Sequence, residues 1–220
     1  MKMYKNVNST LNVATKFKMG VITIGLALVA CFSVQGCSKD VADKDAAANS
    51  QELRVEMRQL WAEHMEWTYA TVDAFFHDQA GLGPKLNRLL QNQQDIGNSI
   101  KPYFGDAAGE KLAKLLTDHI QLAVPVLSAA QNADNAALEE ALDNWYANAQ
   151  EIGDDYARLN PKGWDQEALR DIWKTHITQT VGYSVALLQN NLDEAIVQYQ
   201  QAYDHMMEMA DEMTDGLLNK

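Results

Sequence analysis

The apolar residues of this chain recur at intervals of three and four over most of its length. The first group with this spacing consists of Leu53, Met57, Leu60 and Trp61, and similar groups follow further along the chain. This spacing places apolar side chains on one face of an α-helix, and no stretch alternates between apolar and polar residues as a half-buried strand does. The pattern therefore predicts an all-α protein.

Breaks in the pattern divide it into six helices. Clusters of glycine, proline and asparagine interrupt the apolar periodicity, and Asp134, Asp165 and Asn191 stand where N-cap residues are expected. The helices are predicted at 50–77, 84–103, 107–131, 135–159, 165–189 and 191–217. Because the composition does not change along this part of the chain, we expect a single helical-bundle domain.

The six helices are related in sequence as three pairs. Each pair contains a histidine with apolar residues three and four positions before it, and a second polar residue 28 or 29 positions after it. The histidines are His64, His119 and His176, and the second polar residues are Asn92, Asn148 and His205. A repeat period of 55 to 57 residues predicts three antiparallel hairpins built to one plan, with chance alignment of amphipathic helices as the competing explanation.

The apolar neighbours turn each of these histidines toward the core, where an imidazole requires a hydrogen-bond partner or a metal ion. Counting residues from the hairpin turn puts His119 level with Asn148, and His176 level with His205. One interpretation is that each hairpin contains one internal His–Asn hydrogen bond, which fixes the register of its two helices. Small residues five positions after the second column predict close helix contacts there, at Gly97, Gly153 and Ala210.

A second interpretation gathers the histidines around a transition metal ion, because imidazole is the commonest metal-binding side chain and helical bundles build such sites from facing helices. The third repeat supports it by adding an imidazole, although asparagine is a poor ligand for such metals. The candidate metal ligands are His64, His119, His176, His205 and Glu208, and the candidate second-shell or ligand-binding residues are Asn92, Asp95, Asn148 and Glu151.

A third interpretation is a small polar or anionic ligand, held by the same histidines and amides in a pocket of the bundle. The sequence contains no Ser/His/Asp order, no glycine-rich phosphate loop and no HExxH motif. These absences favour a binding or structural protein over an enzyme.

The N-terminus has the pattern of a bacterial export signal. A lysine-bearing stretch precedes the apolar run VITIGLALVACFSV, which is too short to span a bilayer comfortably. Both VQGC, ending at Cys37, and LVAC, ending at Cys31, resemble the lipobox of lipoproteins, and the polar segment that follows Cys37 favours that cysteine for lipidation. The predicted organisation is a signal peptide at 1–36, a flexible tether at 37–49 and one domain at 50–220.

A lipid on this cysteine would anchor the protein to a membrane. Since neither cysteine is followed by aspartate, we expect the periplasmic face of the outer membrane in a Gram-negative cell. The net charge is −12, and removal of the four lysines in the first 36 residues leaves −16. This charge argues against nucleic acid as a partner and leaves an envelope protein partner open.

Several short motifs resemble an uncharacterised family of bacterial exported or lipid-anchored helical proteins. They are EHMEW at 63–67, NQQDIGN at 92–98, DHI at 118–120 and YDH…MAD at 203–211. The resemblance covers most of the chain after the signal. It implies a helical envelope protein and implies no particular activity.

Overall fold

The computed structural model describes the backbone of residues 37–219 and the side chains of residues 49–219. The export signal and Cys31 lie outside the described residues. Helices make up almost all of the described chain, which contains no strand, so the all-α prediction is confirmed. The elements are α1 (Cys37–His77), α2 (Gln79–Ser99), the short α3 (Lys101–Phe104), α4 (Asp106–Gln131), α5 (Asn135–Leu159), α6 (Gln166–Leu188) and α7 (Leu192–Leu218).

The three predicted N-caps are confirmed. The side chains of Asp134, Asp165 and Asn191 each accept a hydrogen bond from the backbone N–H three residues later. Such a bond satisfies one of the donors that a helix leaves unpaired in its first turn. As a result, α5, α6 and α7 begin within one residue of their predicted positions.

Two helices begin earlier than the sequence pattern predicts. Helix α1 already includes Cys37, the first described residue, so the segment 37–49 that we expected as a tether is helical. This segment has no glycine or proline and is rich in alanine, a composition that permits a helix without any apolar periodicity. Helix α2 begins at Gln79 because the Asp78 side chain caps it, and Pro84 lies inside the helix instead of starting it.

The six long helices form a closed ring. Along the chain each long helix packs against the long helix before it and the one after it, and α7 packs against α1. Helix α6 also contacts α1 and α4, so the first helices of the three pairs approach one another inside the ring. The contacts are consistent with the three predicted hairpins, which are α1–α2, α4–α5 and α6–α7. Within residues 37–219, no helix has the length and apolarity that crossing a membrane requires.

Two of the three small residues predicted at close helix contacts, Gly97 and Gly153, lie where neighbouring hairpins touch. A Cβ atom added at Gly97 of α2 would lie only 2.6 Å from the carbonyl oxygen of Gly109 on α4. A Cβ atom at Gly153 of α5 would lie 3.3 Å from the carbonyl carbon of Leu169 on α6. The absence of a side chain at these positions therefore sets how closely the hairpins pack.

Two ion pairs between hairpins occupy equivalent positions of the repeat. Arg58 of α1 binds Asp211 of α7, with 2.8 Å between Nε and Oδ1, and Arg170 of α6 binds Asp154 of α5, with 2.6 Å between the same atoms. Each arginine lies six residues before a repeat histidine, and each aspartate lies six residues after a second polar position. This equivalence is independent of the histidine and asparagine positions, and it supports a common plan for the hairpins.

Candidate functional site

The three repeat histidines meet inside the ring. His64 of α1, His119 of α4 and His176 of α6 are each only 1% exposed. The imidazole centroid of His176 lies 5.7 Å from that of His64 and 5.8 Å from that of His119. The prediction that these residues point inward is confirmed, and the closed ring brings them together.

Aromatic side chains close one side of the histidine cluster. Trp61 and Trp173 lie one helical turn before His64 and His176, and both tryptophans are fully buried. Their rings are 5.9 Å apart, and the Trp173 ring lies 5.8 Å from that of His119. Toward the N-termini of α1, α4 and α6 the cluster therefore rests on a packed aromatic core.

The second polar residues of the three hairpins all bind a backbone carbonyl of the partner helix. Each donates to the carbonyl of the residue four positions before the histidine of its own hairpin. The bonds run from Asn92 Nδ2 to Leu60 O at 2.9 Å, from Asn148 Nδ2 to Leu115 O at 3.2 Å, and from His205 Nε2 to Ile172 O at 3.0 Å. Of the expected His–Asn hydrogen bonds, the described chain has the one between His119 and Asn148. The bond common to all three hairpins runs to the backbone instead.

Asn148 also fixes the protonation of His119. Because the amide nitrogen of Asn148 donates to Leu115 O, its amide oxygen faces His119 Nδ1, at 2.8 Å. An amide oxygen only accepts hydrogen bonds, so His119 carries its proton on Nδ1 and a lone pair on Nε2. The Nε2 atom is buried and has no hydrogen-bond partner among residues 37–219.

A second chain of hydrogen bonds gives His64 the opposite tautomer. Asn92 donates to Leu60 O, so its amide oxygen faces the amide nitrogen of Gln93, which also donates to Leu89 O at 2.8 Å. The same nitrogen lies 3.3 Å from His64 Nδ1. A proton on Nδ1 would face the amide hydrogens, so Nδ1 carries the lone pair and Nε2 the proton. In the described chain this buried N–H group also has no partner.

The other candidate ligands do not join the cluster. His205 is half-buried and its Nε2 is used by Ile172 O, while Glu208 is exposed. Glu151 is also exposed, and Asp95 accepts a hydrogen bond from Gln91 on the surface of α2. Of the five candidate metal ligands, the structure therefore brings together His64, His119 and His176.

Burial keeps the three imidazoles uncharged. Desolvation, with a smaller effect of His119, lowers the pKa of His64 to about 3, and desolvation lowers the pKa of His119 to about 4. Desolvation is also the main reason that the pKa of His176 lies well below its ordinary value. At neutral pH the cluster offers hydrogen-bonding nitrogens without a positive charge.

A cavity of about 140 Å³ lies on the other side of the cluster, toward the hairpin turns. The three histidines form its inner end, and residues such as Val72, Leu89, Leu127 and Trp145 give it apolar walls. The hydroxyl of Thr68, which also borders the cavity, already donates to a backbone carbonyl. For comparison, an apolar cavity of about 150 Å³ holds a benzene molecule.

The cluster fits a metal ion only in part. His119 has the orientation of a metal ligand. Its Nδ1–H donates to the amide oxygen of Asn148, and the lone pair on its Nε2 is free. His64 has a proton at the equivalent atom, and moving that proton to Nδ1 would place it against the Gln93 amide. No group of three or more His, Cys, Asp or Glu side chains in the described chain is arranged to hold a metal ion.

Gln93 is the functional residue that sequence reasoning missed. It is fully buried and determines the tautomer of His64. Its spacing contained a signal, because it lies four residues after Leu89 and three before Ile96, both of which are buried. The three hairpins do not share this residue, because the equivalent position of the second hairpin is Ala149. The repeat pattern therefore does not single out Gln93.

Comparison with family models, curated proteins and solved structures finds no match to this chain. The resemblance of its short motifs to an uncharacterised exported family stays a prediction. The function is therefore argued from the site itself.

Proposed function

We propose that this protein binds a small, uncharged and largely apolar molecule inside its helical bundle. The observation that carries the proposal is the cavity of about 140 Å³ with buried, unpaired imidazole nitrogens at its inner end. An unfilled cavity weakens packing, and a buried polar atom without a partner costs on the order of 1–3 kcal/mol. A ligand that fills the cavity and pairs these atoms relieves both costs.

The absence of charge on the histidines selects against ions. Their lowered pKa values mean that an anion entering the cavity would lose its hydration without meeting a positive charge. The walls are mostly apolar, and the hydroxyl groups of Thr71 and Thr180 that border the cavity carry no charge. The geometry of the cavity therefore supports an uncharged ligand over an anion.

Access to the cavity requires only a local opening between α2 and α4. Val124 borders the cavity and is 43% exposed, and Leu82 and Leu86 across from it are half-buried. The first turns of α2 contain Gly83 and Pro84, which weaken a helix. Because segments of low local stability open without global unfolding, these turns are the expected entry path.

Binding of a transition metal is the second candidate function, and the orientation of His119 favours it. It requires a proton shift at His64 and rotation of the Gln93 amide. Elemental analysis of protein purified without a metal-affinity column tests it. Stoichiometric zinc, copper, iron or manganese that is lost in His119→Ala would make metal binding the better assignment.

We also propose, from the sequence, that a lipid on Cys37 anchors this binding domain at the periplasmic face of the outer membrane, with Cys31 as the alternative site. Palmitate labelling tests this location. Labelling should disappear in Cys37→Ser and persist in Cys31→Ser, and the reverse result would move the lipid to Cys31.

The cavity itself is tested with toluene, which fits its size and apolar walls. A ligand that binds only the folded state raises its stability by about 2.7 kcal/mol at a hundredfold excess over its Kd. We expect toluene to raise the melting temperature of the wild type and to leave Ala123→Phe unchanged, because Ala123 borders the cavity and phenylalanine would fill it.

The matched control is Ala147→Phe, on an exposed position of α5. It should respond to toluene as the wild type does. A wild type that does not respond, or an Ala123→Phe variant that responds equally, would contradict the proposed function.

A further inference from the structure

Three imidazole nitrogens at the inner end of the cavity have no partner in the described chain, namely His64 Nε2, His119 Nε2 and His176 Nδ1. The hydrogen bonds of the other ring nitrogen determine the tautomer of His64 and His119, and these two residues have complementary hydrogen-bonding capacity. His64 presents an N–H donor at Nε2, and His119 presents a lone pair at Nε2. Both imidazoles border the same cavity. A ligand that satisfies both must therefore donate one hydrogen bond and accept another at one end of the molecule.

Resting on the proposed function, we infer that the ligand is a phenol-sized alcohol whose single hydroxyl group bridges His64 and His119. The hydroxyl hydrogen is donated to His119 Nε2, and the hydroxyl oxygen accepts from His64 Nε2–H. A hydroxyl is the smallest common group with both capacities. No proton is transferred and no covalent bond is formed.

Other functional groups leave one of the two nitrogens unpaired. Ketones, ethers and esters only accept, so His119 would keep a buried lone pair without a partner. Ammonium groups only donate, so the N–H of His64 would stay unpaired. A carboxylic acid can do both only when protonated, and at neutral pH it would enter as the carboxylate.

The remainder of the cavity limits the size and polarity of the molecule. Its volume of about 140 Å³ admits one six-membered ring beside the hydroxyl. The walls contain apolar side chains, among them Phe75 and Leu127, and Trp145, whose ring lies 5.4 Å from that of His119. The hydroxyl groups of Thr71 and Thr180 also border the cavity. A sugar carries more hydroxyl groups than these two could pair, and the rest would lie against apolar walls without partners.

Titration calorimetry with three ligands of similar shape tests the inference at neutral pH. Phenol should bind the wild type at least about tenfold more tightly than fluorobenzene or toluene, because each lacks the hydroxyl donor. His64→Phe and His119→Phe should keep toluene binding and reduce the preference for phenol to less than about threefold. His77→Phe, a change at an exposed histidine outside the cavity, is the matched control and should keep the full preference.

The possible results separate the two proposals. Equal binding of phenol, fluorobenzene and toluene would overturn the hydroxyl inference and leave the proposed function standing. Failure of all three to bind would overturn the proposed function.

A second measurement uses only the wild-type protein, so it does not depend on whether the variants fold. Proton–nitrogen correlation spectra report which imidazole nitrogen carries the proton. They should show His119 protonated at Nδ1 and His64 at Nε2, and phenol should shift both Nε2 resonances. The same tautomer in both residues, or shifts confined to one of them, would overturn the inference.

Discussion

At the scale of single residues, side chains of different chemistry perform the same task in the three hairpins. Asn92, Asn148 and His205 each donate to a backbone carbonyl of the neighbouring helix. Because a carbonyl only accepts, it does not distinguish an amide N–H from an imidazole N–H. The extra imidazole in the third repeat therefore has a structural explanation that requires no metal ion.

The substitution His205→Asn tests this equivalence. It restores the residue found in the other two hairpins, so we expect a change in the free energy of unfolding of less than about 1 kcal/mol. Asn148→Leu should cost more, on the order of 1–3 kcal/mol, because it leaves the buried N–H of His119 without its acceptor. Urea unfolding of the two variants measures the difference, and equal large losses would contradict the interchangeable role of His205.

The sequence predicted the inward direction of the histidines but not their tautomers. Direction follows from the apolar residues at i−4 and i−3, which are visible in one helix. The tautomer of His64 depends on a chain of contacts from Leu60 through Asn92 to Gln93, which joins two helices. No single helix contains that information. The donor at His64 Nε2 and the acceptor at His119 Nε2 could therefore be assigned only from the packed structure.

At the scale of elements, the periodic pattern predicted where helices lie better than where they begin. N-caps placed the starts of α5, α6 and α7, because a capping side chain acts within one turn. Helix α1 is already helical at Cys37, the first described residue, whereas the pattern predicted its start at residue 50. Its first part is an alanine-rich segment without apolar periodicity. Helix α2 was predicted to begin at Pro84, whereas the cap at Asp78 lies before the glycines that suggested a turn.

Two glycines of α2 give a matched test of helix packing. Gly97→Ala would place a Cβ atom 2.6 Å from the Gly109 carbonyl oxygen, whereas Gly83→Ala would meet no atom within 4 Å. We expect Gly97→Ala to lower the free energy of unfolding by about 1–3 kcal/mol through overpacking against α4. Gly83→Ala should raise it by about 0.5–1 kcal/mol, because alanine favours the helix.

Both changes have the same effect on intrinsic helix propensity, so the difference between them isolates the contact with α4. Thermal unfolding followed by circular dichroism is sufficient to measure it. If both variants were stabilised equally, the close approach of α2 and α4 would not exist in solution.

At the scale of the whole molecule, closure of the ring creates the site. Each hairpin contributes one histidine, and none of the hairpins alone could bury it or enclose the cavity. The repeat in the sequence predicted three equivalent hairpins, but it contained no information on how they close. The cavity lies on one side of the histidine cluster, with Trp145 of α5 and Leu89 of α2 in its walls.

The buried histidines make the stability of the whole bundle depend on pH. Burial lowers the pKa of His64 to about 3 and that of His119 to about 4, whereas the unfolded chain has ordinary histidines with a pKa of about 6.5. Between these values the unfolded state binds more protons than the folded state, so stability falls as the pH falls. The stabilisation that the neutral histidines provide should be complete above about pH 7. It should decrease progressively as the pH falls below about 6.5.

Each of the three buried histidines contributes a slope of at most about 1.4 kcal/mol per pH unit in this window. Urea unfolding at intervals between pH 7.5 and pH 5 should therefore give a slope approaching about 4 kcal/mol per pH unit for the wild type and about one third less for His176→Phe. The carboxylates Asp154 and Asp211, whose pKa values are lowered by arginine partners, lose their contribution only at lower pH. A wild-type stability that stays constant from pH 7 to pH 5 would mean that the cluster accepts protons in the folded state, and the uncharged site on which ligand selection depends would then be wrong.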